Sequence, residues 1–250
     1  MKRTELTAYL DEFLNIRRIT DTSLNGLQVE GPAEVRTVAL AVDARLAAFE
    51  AAAKMGAEML IVHHGLFWGK PLAITGTHYR RVRALMEGGV GLYACHLPLD
   101  AHPQVGNNAE LARLLGLRNR GPAGDYHGET IGFGGRLPKG VPITALAQRL
   151  ENATGQAPVR VVDAGRPARR VACVSGGAAD MAAQFADLGF DTFVTGEVSH
   201  SCLPTIEELG INVIFGGHYA TETLGVKALG RHLHRRFGLK IQFVDLPTDA

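Results

Sequence analysis

Apolar residues open the chain with helical spacing: in MKRTELTAYLDEFLNI, Leu6, Leu10, Phe13 and Leu14 fall along one face. The pattern then changes to short β-rich runs alternating with Ala-rich helical ones. VRTVALAVDA (35–44) reads as a strand, RLAAFEAAAKMG as a helix, and Met59-Leu60-Ile61-Val62 as a buried strand stopping at Gly65. A third strand is expected in GVGLYACHLPLDA (89–101), and NNAELARLLGL then reads as a helix. The same order returns later. ARRVACVSGGAA (168–179), DMAAQFADLGFDTFVTGEVSH and GINVIFGGHYATE (210–222) repeat strand, helix, strand, strand, and TLGVKALGRHLHRRFGL follows as a helix. Between the two runs, GPAGDYHGETIGFGGRLPKG is rich in Gly and Pro around a strand-like ETIGFGGRL, and PITALAQRLENATG reads as a helix starting near Pro142.

Alternating strands and helices predict an α/β protein of two similar halves, a pseudo-repeat whose halves face each other across a metal-binding cleft. The expected boundaries are 1–120 for the first half, 121–167 for a connecting subregion and 168–250 for the second half. A chain of 250 residues with 46% hydrophobic content can bury a substantial core. Lys and Arg total 26 against 25 Asp and Glu, so no overall field favours a nucleic acid or an anionic membrane. The basic RHLHRRFGLK segment reads as ordinary compensation at a helix end. Cys95, Cys173 and Cys202 form no C-x-x-C pair, which argues against a disulfide framework or a cysteine zinc site. With no long apolar run at the N-terminus, neither export nor membrane insertion is expected, and a cytoplasmic location fits.

Candidate chemistry collects where the strands end. EMLIVHHGLFWG (58–69) closes an apolar strand with adjacent His63 and His64, and aligning His96 with His218 places Asp100 on Glu222. Both third strands therefore end in histidine, three residues, carboxylate. If a helix starts near Tyr219 or Ala220, His218 and Glu222 lie on one face of its first turn. Imidazole and carboxylate without cysteine suit Zn, Mn or Fe(II) in a mixed site. Six ligand-type residues overfill a single catalytic ion and suit two, and a bend at Gly65 would let the histidine pair splay, one ring to each ion. Taken singly, each residue has a plain structural alternative in a satisfied core histidine, a loop cap or a first-turn carboxylate.

The blocks SLNGLQVEG, LIVHHGLFW, YACHLPLDAHPQVGNNAELA, VTGEVSH and GGHYATE run in order along nearly the whole chain. In them the chain resembles the Nif-three-like dinuclear-metal proteins, often labelled GTP cyclohydrolase I type two homologues. The resemblance implies a toroidal homohexamer with two divalent ions per chain. It implies His63, His64, Asp100, His218 and Glu222 as ligands, Glu222 bridging, with His96 beside the ions as ligand or proton carrier. The chain matches the short type, without the large domain some relatives insert between the halves.

Glu197 in TGEVSH occupies the strand end equivalent to the histidine pair and is the candidate general base, with His200 as an assistant or a loop histidine. SGGAAD (175–180) is either a small-residue turn or a phosphate cradle, although it lacks the phosphate-loop signatures. Asn25-Gly26 is a turn signal, placed by the resemblance near the mouth of the site. The expected function is a metal-dependent hydrolase acting on a nucleotide or other heterocyclic small molecule. The alternative is a metal-binding scaffold or metallochaperone-type ring.

Overall fold

The computed structural model describes residues 1–248 and is an α/β protein. The chain divides into two compact units, Met1–Leu99 with Val226–Leu246, and Asp100–Gly225 with the described residues 247–248. These divisions fall at residues 99 and 225 rather than at 120 and 167. Among the described residues no helix is long and apolar enough to cross a membrane.

In the first unit, helix α1 (Arg3–Phe13) buries Leu6 and Leu10 as its spacing predicts. Strands β1 (Gly26–Val29) and β2 (Thr37–Asp43), helix α2 (Leu46–Lys54), strand β3 (Met59–His64), helix α3 (Gly76–Gly88) and strand β4 (Gly91–Ala94) follow. Strands β2, β3 and β4 are parallel, and β1 pairs antiparallel with β4. The core on one side of the sheet packs Phe49 and Ala52 of α2 against Leu60, Val62 and Leu92. Burying each large apolar side chain contributes about 1.5–3 kcal/mol, enough to set the strand register. The polar strand ends are carried along by that register. A short helix α4 (Leu97–Asp100) then begins one residue after His96.

The second unit continues with α5 (Asn107–Leu114), β5 (Arg118–Tyr126), β6 (Glu129–Val141), α6 (Ile143–Thr154), β7 (Arg160–Val162) and β8 (Ala168–Cys173). After β8 come α7 (Ala182–Asp187), β9 (Thr192–Thr195), α8 (Leu203–Glu208), β10 (Asn212–Phe215) and α9 (His218–Phe237). The final strand, β11 (Lys240–Phe243), pairs with β2 and so belongs to the first sheet. Residues 121–167, expected as a connecting subregion, supply most of β5 and all of β6, α6 and β7; the three strands join the six-stranded second sheet in the order β5-β6-β8-β9-β10-β7. Their glycines mislead a reading based on turn signals. A Cβ on Gly132 would lie 2.6 Å from the Ala123 carbonyl oxygen, and one on Gly134 would lie 2.5 Å from the Phe190 ring. Glycine in β6 therefore permits close packing within a strand instead of marking a loop.

The two sheets share a pairing pattern. In the first, β2, β3 and β4 run parallel and the preceding strand β1 adds antiparallel beside β4. In the second, β8, β9 and β10 run parallel and the preceding strand β7 adds antiparallel beside β10. In each case the third parallel strand leads directly to a histidine at the start of a helix: His96 before α4, and His218 as the first residue of α9.

Candidate metal centre

In the first unit, His63 and His64 are the last two residues of β3. The strand stays in register through His64, opposite Asp43, yet the two rings lie 4.7 Å apart and tilted by 45°. Gly65 serves close packing: a Cβ there would sit 2.3 Å from Gln28 and 2.6 Å from Ala94. His96 lies 5.1 Å from His63 and 5.6 Å from His64 between ring centroids. Each of the three rings offers a nitrogen, and these atoms all lie within 4.8 Å of one another.

Hydrogen bonding settles which nitrogen each ring can offer. His63 Nδ1–H donates to the Cys95 carbonyl at 3.0 Å, His64 Nδ1–H to Asp43 at 2.8 Å, and His96 Nδ1–H to Asp21 at 3.0 Å. A proton held on Nδ1 leaves the lone pair on Nε2, the arrangement by which outer partners orient metal-binding imidazoles. Asp21 is itself braced: Asn25 Nδ2 and the Ser23 and Leu97 backbone amides donate to its carboxylate. Burial raises the Asp21 pKa, but His96, Asn25 and Ser23 outweigh that and hold the carboxyl at about 2. Asn25 also accepts the His96 backbone N–H at 2.7 Å, so the Asn25-Gly26 turn supports this histidine.

In the second unit, α9 begins at His218, one or two positions earlier than expected, and the i, i+4 spacing brings His218 Nε2 to 3.2 Å from Glu222 Oε1. His218 Nδ1–H donates to Glu197 at 2.8 Å. Glu197 therefore sits on the far side of the imidazole from Glu222, in the place an orienting partner takes. The SGGAAD turn accommodates this group. Gly176 has φ of +67°, and a Cβ on it would lie 2.3 Å from Glu222 Oε1; one on Gly177 would lie 3.3 Å from Glu197. Glycine is required at 176 both by the left-handed backbone and by the carboxylate occupying that space. The small-residue turn is thus shaped around the carboxylates.

Asp100 is buried, and its Oδ1 accepts from Asn107 Nδ2 at 2.8 Å and from Ser175 Oγ at 2.9 Å. Asn107 Oδ1 in turn accepts the Gly225 backbone N–H, and Asn108 links the Ser175 N–H to the Ile131 carbonyl. His200 stands on an exposed 3₁₀ turn, His200–Cys202. Reading by residue type alone misses Asp21, Asp43, Asn107 and Ser175. The GNN block carries a signal for Asn107, whereas nothing local marks Asp21 or Asp43 as histidine partners.

Without metal, His218 faces two carboxylates. Glu222, and then Glu197, raise its pKa against the lowering effect of burial, to about 9. A raised folded-state pKa contributes stability that is fully present below the unfolded value near 6.5 and is lost as pH rises through about 9. Metal-stripped protein is therefore expected to lose about 1–3 kcal/mol between pH 6.5 and 9 relative to His218→Gln. Chemical denaturation of both proteins at the two pH values checks this; a parallel response of variant and parent would contradict it.

These residues fit a divalent ion by donor chemistry, by the tautomers their partners impose and by the room Gly176 leaves for Glu222. Comparisons with known proteins find relatives along the whole chain. A "GTP cyclohydrolase 1 type 2 homolog" of Deinococcus radiodurans is 47% identical, over 98% of this chain and 94% of its own length. One of the same name from Pyrococcus horikoshii is 46% identical over 99% of each. A crystal structure of a Thermus thermophilus protein matches with a TM-score of 0.90 and 48% identity over 100% of both chains. The family model described as Duf34/NIF3 (NGG1p interacting factor 3) matches residues 1–250, and with relatives this similar along their whole length the chain belongs to the Duf34/NIF3 family.

Proposed function

We propose that the chain holds two divalent ions through His63, His64, Asp100, His218 and Glu222, with Glu222 shared, and that it is a metal-dependent hydrolase of a nucleotide or related heterocyclic small molecule. One observation carries the reading: His63, His64, His96 and His218 each have Nδ1 tied to an oxygen acceptor. Anchoring of this kind puts the lone pair on Nε2, for ligation in His63, His64 and His218, and for binding or carrying a proton in His96. Bound divalent ions would supply Lewis acidity to polarise the bond under attack. The chain's own part is to orient the imidazoles through Asp43, Asp21 and Glu197 and to move protons, for which His96 and Glu197 are the available groups. The name carried by the relatives is compatible with a heterocyclic substrate, and the resemblance to the dinuclear family supports a homohexameric ring.

A metal-binding scaffold is the second reading: the carboxylate nominated as general base, Glu197, is engaged with His218 Nδ1 in an orienting contact, which a scaffold uses without turnover. The test is a screen of metal-replete protein across nucleotides, phosphoesters and cyclic amides, with Glu222→Ala as control. The hydrolase reading expects turnover in one class that the variant lacks. Fully loaded protein inert toward all three classes would leave the scaffold.

A further inference from the structure

Trp68 is the single tryptophan of the chain, and it stays 39% exposed in a unit that buries Phe49, Tyr93 and Leu60 completely. It lies beside the histidine cluster, with its ring 5.0 Å from His96, nearly perpendicular at 75°, and 5.9 Å from His64. It is also fixed in place. The indole N–H donates to the Gly65 carbonyl at 2.9 Å, and the Trp68 carbonyl accepts the Lys70 N–H at 2.8 Å. The segment leading to it is pinned to β1, because Gln28 Oε1 accepts the Leu66 N–H while Gln28 Nε2 donates to the Leu24 carbonyl. Leu24, itself 54% exposed, donates its N–H to the Phe67 carbonyl at 2.9 Å. A large ring held rigidly in partial contact with water forgoes burial it could have had. Tryptophan placed so is suited to stacking, since it offers wide π surface at little cost in conformational freedom.

We propose that Trp68 and His96 form an aromatic subsite that takes a planar heteroaromatic ring on its face, beside the histidine cluster. The class follows from the two walls: the indole rewards a flat unsaturated ring, and the imidazole edge rewards polar ring atoms. A purine or a pyridine carboxamide meets both demands, whereas a sugar lacks the flat unsaturated ring and an alkyl chain lacks both. The inference deepens the functional reading above by naming how substrate is held, but it requires only the positions of Trp68, His64 and His96.

Because Trp68 is the only indole, its fluorescence reports the subsite without a label. Adenosine, guanosine and nicotinamide are titrated into metal-replete and metal-stripped protein, with ribose as control, and affinities are measured by calorimetry on Trp68→Ala and Trp68→Phe. We expect a saturable fluorescence change with at least one ring compound and none with ribose. Trp68→Ala should weaken that binding about tenfold or more, Trp68→Phe should stay within about threefold of the parent, and both should keep their metal content. No saturable response to any of the three compounds, or parental affinity in Trp68→Ala, overturns the subsite. Loss of metal in Trp68→Ala would instead make Trp68 a structural support. A fluorescence change that follows protein concentration with no ligand added would show the indole covered by a second copy, and would also overturn it. If the rings stack but no substrate class is turned over, the subsite stands and the hydrolase reading fails.

Discussion

Metal-loaded protein is expected to carry close to two divalent ions per chain, and His64→Ala to lose at least one of them. The stoichiometry follows from ligand number: five imidazole and carboxylate donors overfill one ion and suit two that share a carboxylate. The variant removes a ring whose Nδ1 is held by Asp43 at 2.8 Å, so that Nε2 is the nitrogen presented. Asp43→Asn tests the same geometry from outside. The amide still reaches the ring but brings no charge, and metal affinity should fall about 10–100-fold, the usual worth of an outer partner. Elemental analysis and calorimetry of the three proteins decide it. One ion or fewer in the parent, or unchanged binding in His64→Ala, would end the dinuclear reading.

Glu197→Gln should weaken metal binding about 10–100-fold, because its carboxylate hydrogen bonds to His218 Nδ1 and an amide supports that imidazole less well. The expectation from sequence is different in kind: a general base that leaves the ions in place and costs about 10²- to 10⁴-fold in rate. The two roles separate at saturating metal. A rate deficit that persists when the site is full marks proton transfer by Glu197, whereas a deficit abolished by added metal marks orientation alone. Unchanged affinity together with full activity would remove Glu197 from both roles and make His96, braced by Asp21, the next group to vary.

Much of the layout is legible along the chain because strands and helices leave local periodicities. Strands β2, β3 and β4 of the first sheet and β8, β9 and β10 of the second, the helix from Pro142 and the i, i+4 relation of His218 and Glu222 are written in neighbouring residues, whose geometry backbone repeat alone dictates. Glycine is where local reading fails, since it marks turns and close approaches alike. Gly65 and Gly132 are needed for the second reason, and what they approach, Gln28, Ala94 and the Ala123 carbonyl, lies 9 to 37 residues away.

Residue types and spacing also suffice to nominate the donors: adjacent histidines at a strand end, and histidine four residues ahead of a carboxylate at two matching places. The partners of those donors depend on register and packing. Asp43 meets His64 because β2 and β3 pair in parallel with those residues opposite each other, a register set by burying Leu40, Ile61 and their neighbours. Asp21 reaches His96 across 75 residues of chain, and Ser175 reaches Asp100 across another 75. A hydrogen bond between residues so far apart has no local signature, since its geometry exists only once hydrophobic burial has brought the strand ends together.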